Sequence, residues 1–146
     1  MKFDLMNSLD VQMAIAPVAA RTDNTAIVST VCSMAGAHSL MLALAVGTNT
    51  DANATFTVLI EESDAFASGF SAVADADLIG TEVLASYDYS DDAECRKIGY
   101  KGSKKYVRAT VTPAGNDSGN IFLSGLWIRG HLELQPAANP PVQITS

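Results

Sequence analysis

The side chains best placed to do chemistry in this chain are charged and crowded into separate stretches. Six of the nine basic residues (Arg96, Lys97, Lys101, Lys104, Lys105 and Arg108) lie between positions 96 and 108, and none lies between Arg21 and Arg96. Ten of the sixteen acids fall between Glu61 and Glu94. Charge segregated in this way makes surfaces that attract one another, within one chain or between copies. The other reactive types are sparse. His38 and His131 each sit in a strand-like run: His38 reads as a strand-end polar group, and His131, beside Arg129 and Glu133, as part of a surface or interface hydrogen-bond group. Cys32 and Cys95 have no CxxC spacing and no nearby histidine, so both are expected to be free, structural thiols. Glu61, Glu62 and Asp64, or Asp75 and Asp77, could offer oxygens to Ca²⁺, but neither run has EF-hand spacing, and solvated acidic loops are expected. No GxSxG, no HExxH and no phosphate-binding glycine loop leading into a helix occurs. The expectation is a protein without enzymatic activity, cofactor or metal.

The elements that must hold these groups read as strands. Gly102-Ser103 supplies a glycine where a type II′ turn needs one, so Arg96–Val111 is expected to form an antiparallel hairpin. That pairing would put Ile98, Tyr100, Val107, Ala109 and Val111 on an apolar face. Lys97, Lys101, Lys104 and Arg108 would surround Tyr106 on the other. Like charges directly opposite cost stability unless anions lie nearby, so this basic face is expected to meet carboxylates of its own acidic stretch or of another subunit.

Further strands are expected over residues 24–33, 38–46, 54–62, 81–89 and 120–134. In the second, Leu40, Leu42, Leu44 and Val46 share one face, and Ser39, Met41, Ala43 and Ala45 a small, half-apolar opposite one. In the last, Phe122, Leu126, Ile128, Leu132 and Leu134 are expected on the core side, with Trp127, Arg129, His131 and Glu133 outward unless a bulge resets the register. Trp127 next to Arg129 and His131 then resembles an interface anchor, with a core Trp as the equal alternative. Residues 1–20 read as an arm: Leu5, Leu9, Val11, Met13 and Ile15 are apolar without a clear period, and Pro17 stops any helix. An edge segment covering its own core is the alternative. Residues 135–146 hold three of the five prolines and are expected to form an extended tail. About eight short strands without a long helix indicate an all-β, single-domain antiparallel β-sandwich or jelly roll over residues 21–134.

At 146 residues the chain can bury roughly 68–70% of its unfolded surface, enough for a core without staples. A net charge of −7 makes nucleic acid an improbable partner, since phosphate binding needs a broadly basic footprint. The N-terminus has no charged region leading into a continuous apolar one, and no run of 18 apolar residues occurs, so a soluble protein without an export signal or membrane partner is expected.

Four motifs occur together: a DVxxAxAP-like start at 10–17, VLxEESD at 58–64, VADADLIG at 73–80 and GYxGSKxYVRATVTxAG at 99–115. In them the chain resembles short β-rich structural proteins of tailed bacteriophages, above all head decoration or capsid-stabilising proteins. Cys32 and Cys95 depart from a pattern without cysteines. The resemblance brings no catalytic residue with it. It implies a virion protein, assembled in the host cytoplasm, that binds the major capsid protein on the outer capsid surface in many copies, as a homotrimer. Another virion role, such as a head-tail adaptor, stopper or tail component, is the alternative. A β-sandwich carbohydrate-binding module is a third reading, for which one Trp offers few stacking platforms.

Overall fold

Leu40, Leu42, Leu44 and Val46 are all buried along one side of the longest strand, β4 (Ala37–Asn49), as their alternation requires. Phe56, Val58 and Ile60 do the same in β5 (Thr55–Ser63), and Val107, Ala109 and Val111 in β10 (Tyr106–Ala114). The computed structural model describes Met1 and residues 3–142. Among them are eleven strands in two antiparallel sheets, a β-sandwich, with the inward side chains of both sheets forming one core. The first sheet runs β1 (Asp10–Ile15), β11 (Ile121–Leu132), β4, β9 (Cys95–Tyr100), β7 (Leu78–Ile79). The second runs β2 (Ile27–Val28), β10, β5, β6 (Ser71–Ala72). There β3 (Cys32–Ser33) also pairs with β10, and β8 (Tyr87–Asp88) with β5.

The expected hairpin is not one. β9 pairs with β4 and β7 in the first sheet, and β10 with β5, β2 and β3 in the second, so residues 101–105 arch between the sheets. Ile98 and Val107 are both buried, as a hairpin would also have them. Alternation sets which side chains go inward, and an arch satisfies it as well as a turn does. The arch is held by Tyr100, whose hydroxyl donates to Glu62 Oε2 at 2.6 Å and accepts from the Lys104 amide at 3.0 Å. Burial and the Glu62 carboxylate push that phenol above its ordinary pKa. Gly102 is needed here for closeness: a Cβ on it would lie 2.5 Å from the Tyr100 hydroxyl and 2.6 Å from the ring. Gly102→Ala is therefore expected to destabilise the fold by about 1–3 kcal/mol, as overpacking does. A denaturation midpoint equal to that of the parent chain would show that the ring yields freely.

Other segments also depart from expectation. Residues 81–89 form the one-turn helix α1 (Glu82–Ala85) and then β8. Thr81 Oγ1 caps the helix by accepting from the Leu84 amide at 3.1 Å. α1 closes one side of the sandwich, because the Val58 amide donates to Ser86 Oγ at 3.0 Å and the Ile60 amide to Glu82 Oε1 at 2.6 Å. Residues 24–33 contribute two short strands in place of one. The stretch read as an arm contains β1, an edge strand, while Lys2 lies outside the described residues. Gln12 and Ala14 point inward and Val11 and Met13 outward, and a register shift between Met13 and Ile15 lets Ala14 and Ile15 both be buried. That shift hides the period. Of the tail, residues 135–142 carry no helix and residues 143–146 lie outside the described set.

The register of β11 is one residue from the expected one. Ile121, Leu123 and Trp127 face the core, with Trp127 1% exposed, while Phe122, Leu126 and Leu134 are exposed, and Ile128 and Leu132 are half-buried. Arg129 is 8% exposed, not outward. Its Nη2 donates to the Ala35 carbonyl at 2.8 Å, and Nε lies 3.4 Å from Asp10 Oδ2. Both parities of residues 121–128 are apolar, so alternation alone could not choose between them.

Candidate functional site

The outer face of the five-stranded sheet is where the displaced apolar residues go. Its register aligns Val11, Ile128, Met41, Gly99 and Ile79 in one row across all five strands, and Met13, Leu126, Ala43 and Lys97 in the next. Nine residues in two rows thus include one charge. Ile79 is 60% exposed, and Val11, Met13 and Leu126 are also exposed. Shallow depressions lie along this face. One of 530 Å³ is bounded by Val11, Met13, Leu126, Pro140 and Pro141, and one of 580 Å³ by Met41, Ile79, Leu84 and Cys95. A third, of 460 Å³, lies between Leu5, Met6, Leu9 and Val11 and the tail residues Ala137 and Ala138.

The opposite outer face is different in kind. It presents Thr55, Thr57, Thr110, Thr112, Glu61 and Arg108. Glu61 accepts from Arg108 Nε at 2.9 Å and Nη2 at 3.0 Å and from Thr110 Oγ1 at 2.9 Å, while the guanidinium lies 4.3 Å over the Phe70 ring. The Arg108 hydrogen bonds hold the Glu61 carboxyl below its ordinary pKa. A face already satisfied in this way has little to gain from a partner. The apolar one has much.

The charges expected on one hairpin face are therefore divided. Lys97 belongs to the first sheet and Tyr106 and Arg108 to the second, with Lys101 and Lys104 in the arch. Two of the charges do meet the chain's own acids: Arg108 meets Glu61, and Lys104 Nζ meets Asp64 at 2.7 Å. Lys97 and Lys101 make no ion pair among the described residues. Tyr106 packs edge-on against Phe66 at 5.7 Å. Of the arm candidates, Val11 and Met13 lie on the apolar face, Leu5 and Leu9 line the depression beside it, and Ile15 is in the core. Of the two readings of Trp127 the core one holds: it is 1% exposed, with Nε1 donating to the Thr30 carbonyl at 3.0 Å. His131 is exposed, with Nδ1 2.9 Å from Ser39 Oγ. Met41, Ala43, Ile79, Leu126 and Ile128 were not foreseen as a surface. The signal was present in HSLMLALAV and IFLSGLWI, whose two parities are both largely apolar, the mark of a strand covered on both sides.

Among the described residues no three His, Cys, Asp or Glu side chains stand together as metal ligands, and no helix is long and apolar enough to cross a membrane. Both cysteines are free. Burial pushes the Cys32 thiol up to about 12, whereas Cys95 is exposed. No family model matches the chain, and no curated protein matches it.

Proposed function

We propose that this chain is a non-enzymatic structural protein of a tailed-phage virion. In this reading it binds the outer surface of the head in many copies and stabilises the shell, with the major capsid protein as its partner. The observation that carries the reading is the largely apolar outer face of the five-stranded sheet, five strands wide with Lys97 as the one charge in its two aligned rows, on a chain of net charge −7. Exposed apolar surface of that extent marks a contact surface. The resemblance of the four motifs to those of phage structural proteins suggests the setting. Trp127, which a sugar-stacking platform would use, is in the core.

Mixing the protein with undecorated heads tests this. Leu126→Glu puts a charge in the middle of the apolar rows at an exposed position, so it is expected to weaken head binding by about tenfold or more, equivalent to roughly 1.4 kcal/mol, while leaving the circular dichroism unchanged. Unchanged binding would remove this face from the contact. A copy number matching a single ring per particle would move the protein to the head-tail junction or the tail.

A further inference from the structure

The chain leaves β11 through a fastened bend and then runs almost untied. At the bend His131 has φ 48, in the left-handed region, and its Nδ1 lies 2.9 Å from Ser39 Oγ. Two residues on, the Glu133 amide donates to the Gly36 carbonyl at 3.0 Å, and the Glu133 carboxylate lies 3.2 Å from His38 Nε2. Beyond Glu133 the ties thin out. Among the described residues, 135–142 make one backbone hydrogen bond to the rest of the chain, from the Ala137 amide to the Asn7 carbonyl at 2.9 Å, and no ion pair. Ala137 and Pro141 are half-buried, and the other residues of this stretch are exposed.

The stretch nonetheless lies against the margin of the apolar face. Pro140 and Pro141 bound the 530 Å³ depression together with Val11, Met13 and Leu126, and Ala137 and Ala138 bound the 460 Å³ one together with Leu5, Leu9 and Val11. A further depression, of 400 Å³, has Pro136, Ala138 and Val142 on one side and Asp10 and Arg129 on the other. Residues 135–142 therefore cover the β1 margin of the face without filling the space beneath them. Contacts this sparse hold a segment weakly, because one hydrogen bond and two half-buried residues offset only part of the entropy lost in ordering the eight residues 135–142. Pro136, Pro140 and Pro141 stiffen the segment, so that it moves as a piece. We propose that residues 135–142 are a detachable strap, which covers the β1 margin of the apolar face in the free protein and lifts from it, pivoting beyond Glu133, when that face is occupied. The strap is an autoinhibitory contact: a partner reaching Val11 and Met13 must displace it, so strap and partner compete for one margin. The inference rests on the reading above for the identity of the occupant, while the cover itself is a property of the free chain.

Two sets of variants of the full chain test this, both carrying Cys95→Ser so that the buried Cys32 is the one native thiol left. Leu9 is half-buried and lines the 460 Å³ depression, so Leu9→Cys reports on the cover. Ala137→Pro removes the amide that ties the strap to Asn7 and is expected to speed maleimide labelling of that cysteine about tenfold or more, with the emission of the buried Trp127 unchanged. Equal labelling rates would overturn the proposal. The second set keeps Ala137: Leu9→Cys with Ala138→Cys, bridged by a reducible bismaleimide, locks the strap down. Locking is expected to weaken binding to undecorated heads about tenfold, and dithiothreitol to restore it. Faster labelling with Ala137→Pro, in a chain that binds no heads, would leave the strap standing and remove the virion reading. Head binding that is indifferent to the lock would do the reverse.

Discussion

Trp127→Ala is expected to cost about 3–5 kcal/mol, the usual range for emptying a buried aromatic site. The residue is 1% exposed on β11, between Gln12 of β1 and Leu42 of β4 in the register, and its indole donates to Thr30 in the segment joining β2 to β3. It therefore rivets one sheet to the edge of the other, and the void left by Ala would open at that seam. Trp127→Phe keeps most of the volume and loses the hydrogen bond, worth about 1 kcal/mol, so it should fall well short of the Ala variant. Since small domains are stable by about 5–15 kcal/mol in all, the Ala chain should unfold at clearly lower denaturant. If both variants kept the parental midpoint and only partner binding fell, Trp127 would be an interface anchor after all.

Arg129→Ala should have an effect of similar size for a different reason. Its guanidinium is the cationic neighbour of Asp10, whose side chain is 13% exposed and, among the described residues, otherwise receives only Gln12 Nε2, at 2.8 Å. The Arg129 Nε at 3.4 Å is an ion-pair neighbour too poorly aligned to be a hydrogen bond, so the pair is not ideal to begin with. Removing one partner leaves a largely buried carboxylate uncompensated, at a cost of about 3–5 kcal/mol, whereas replacing both by apolar residues is often neutral. Asp10→Ala with Arg129→Met should accordingly recover much of the loss, and urea midpoints of the single and double variants measure the coupling. A single variant within about 0.5 kcal/mol of the parent, the range of ordinary surface changes, would mean that water reaches Asp10 readily.

Both residues mark the limit of what the sequence alone conveys. Alternation in Leu40–Val46, Phe56–Ile60 and Val107–Val111 places the right side chains inward, because each of those strands has one clearly larger apolar parity. Across Ile121–Ile128 the two parities compete. What decides between them is the partner strand, since Trp127 must fill the space between the sheets and Leu126 lies beside Ala43 and Met13. Tyr100 and Tyr106 raised a different ambiguity: a Gly-Ser pair between two strands suits a hairpin, and only the long-range partners of β9 and β10 make it an arch. The apolar outer face was legible as a half-apolar second parity in β4. Its width was not, because Val11, Ile79 and Leu126 come from strands distant in sequence.

The short helix α1 has a bearing on crowding. Where β5 would otherwise offer the Val58 and Ile60 amides to any passing strand, Glu82 and Ser86 occupy them with side-chain oxygens, which accept but cannot carry a ladder onward. The sheet is thereby capped against fibril growth on that side, so copies held close together can meet through a chosen surface without polymerising edge to edge.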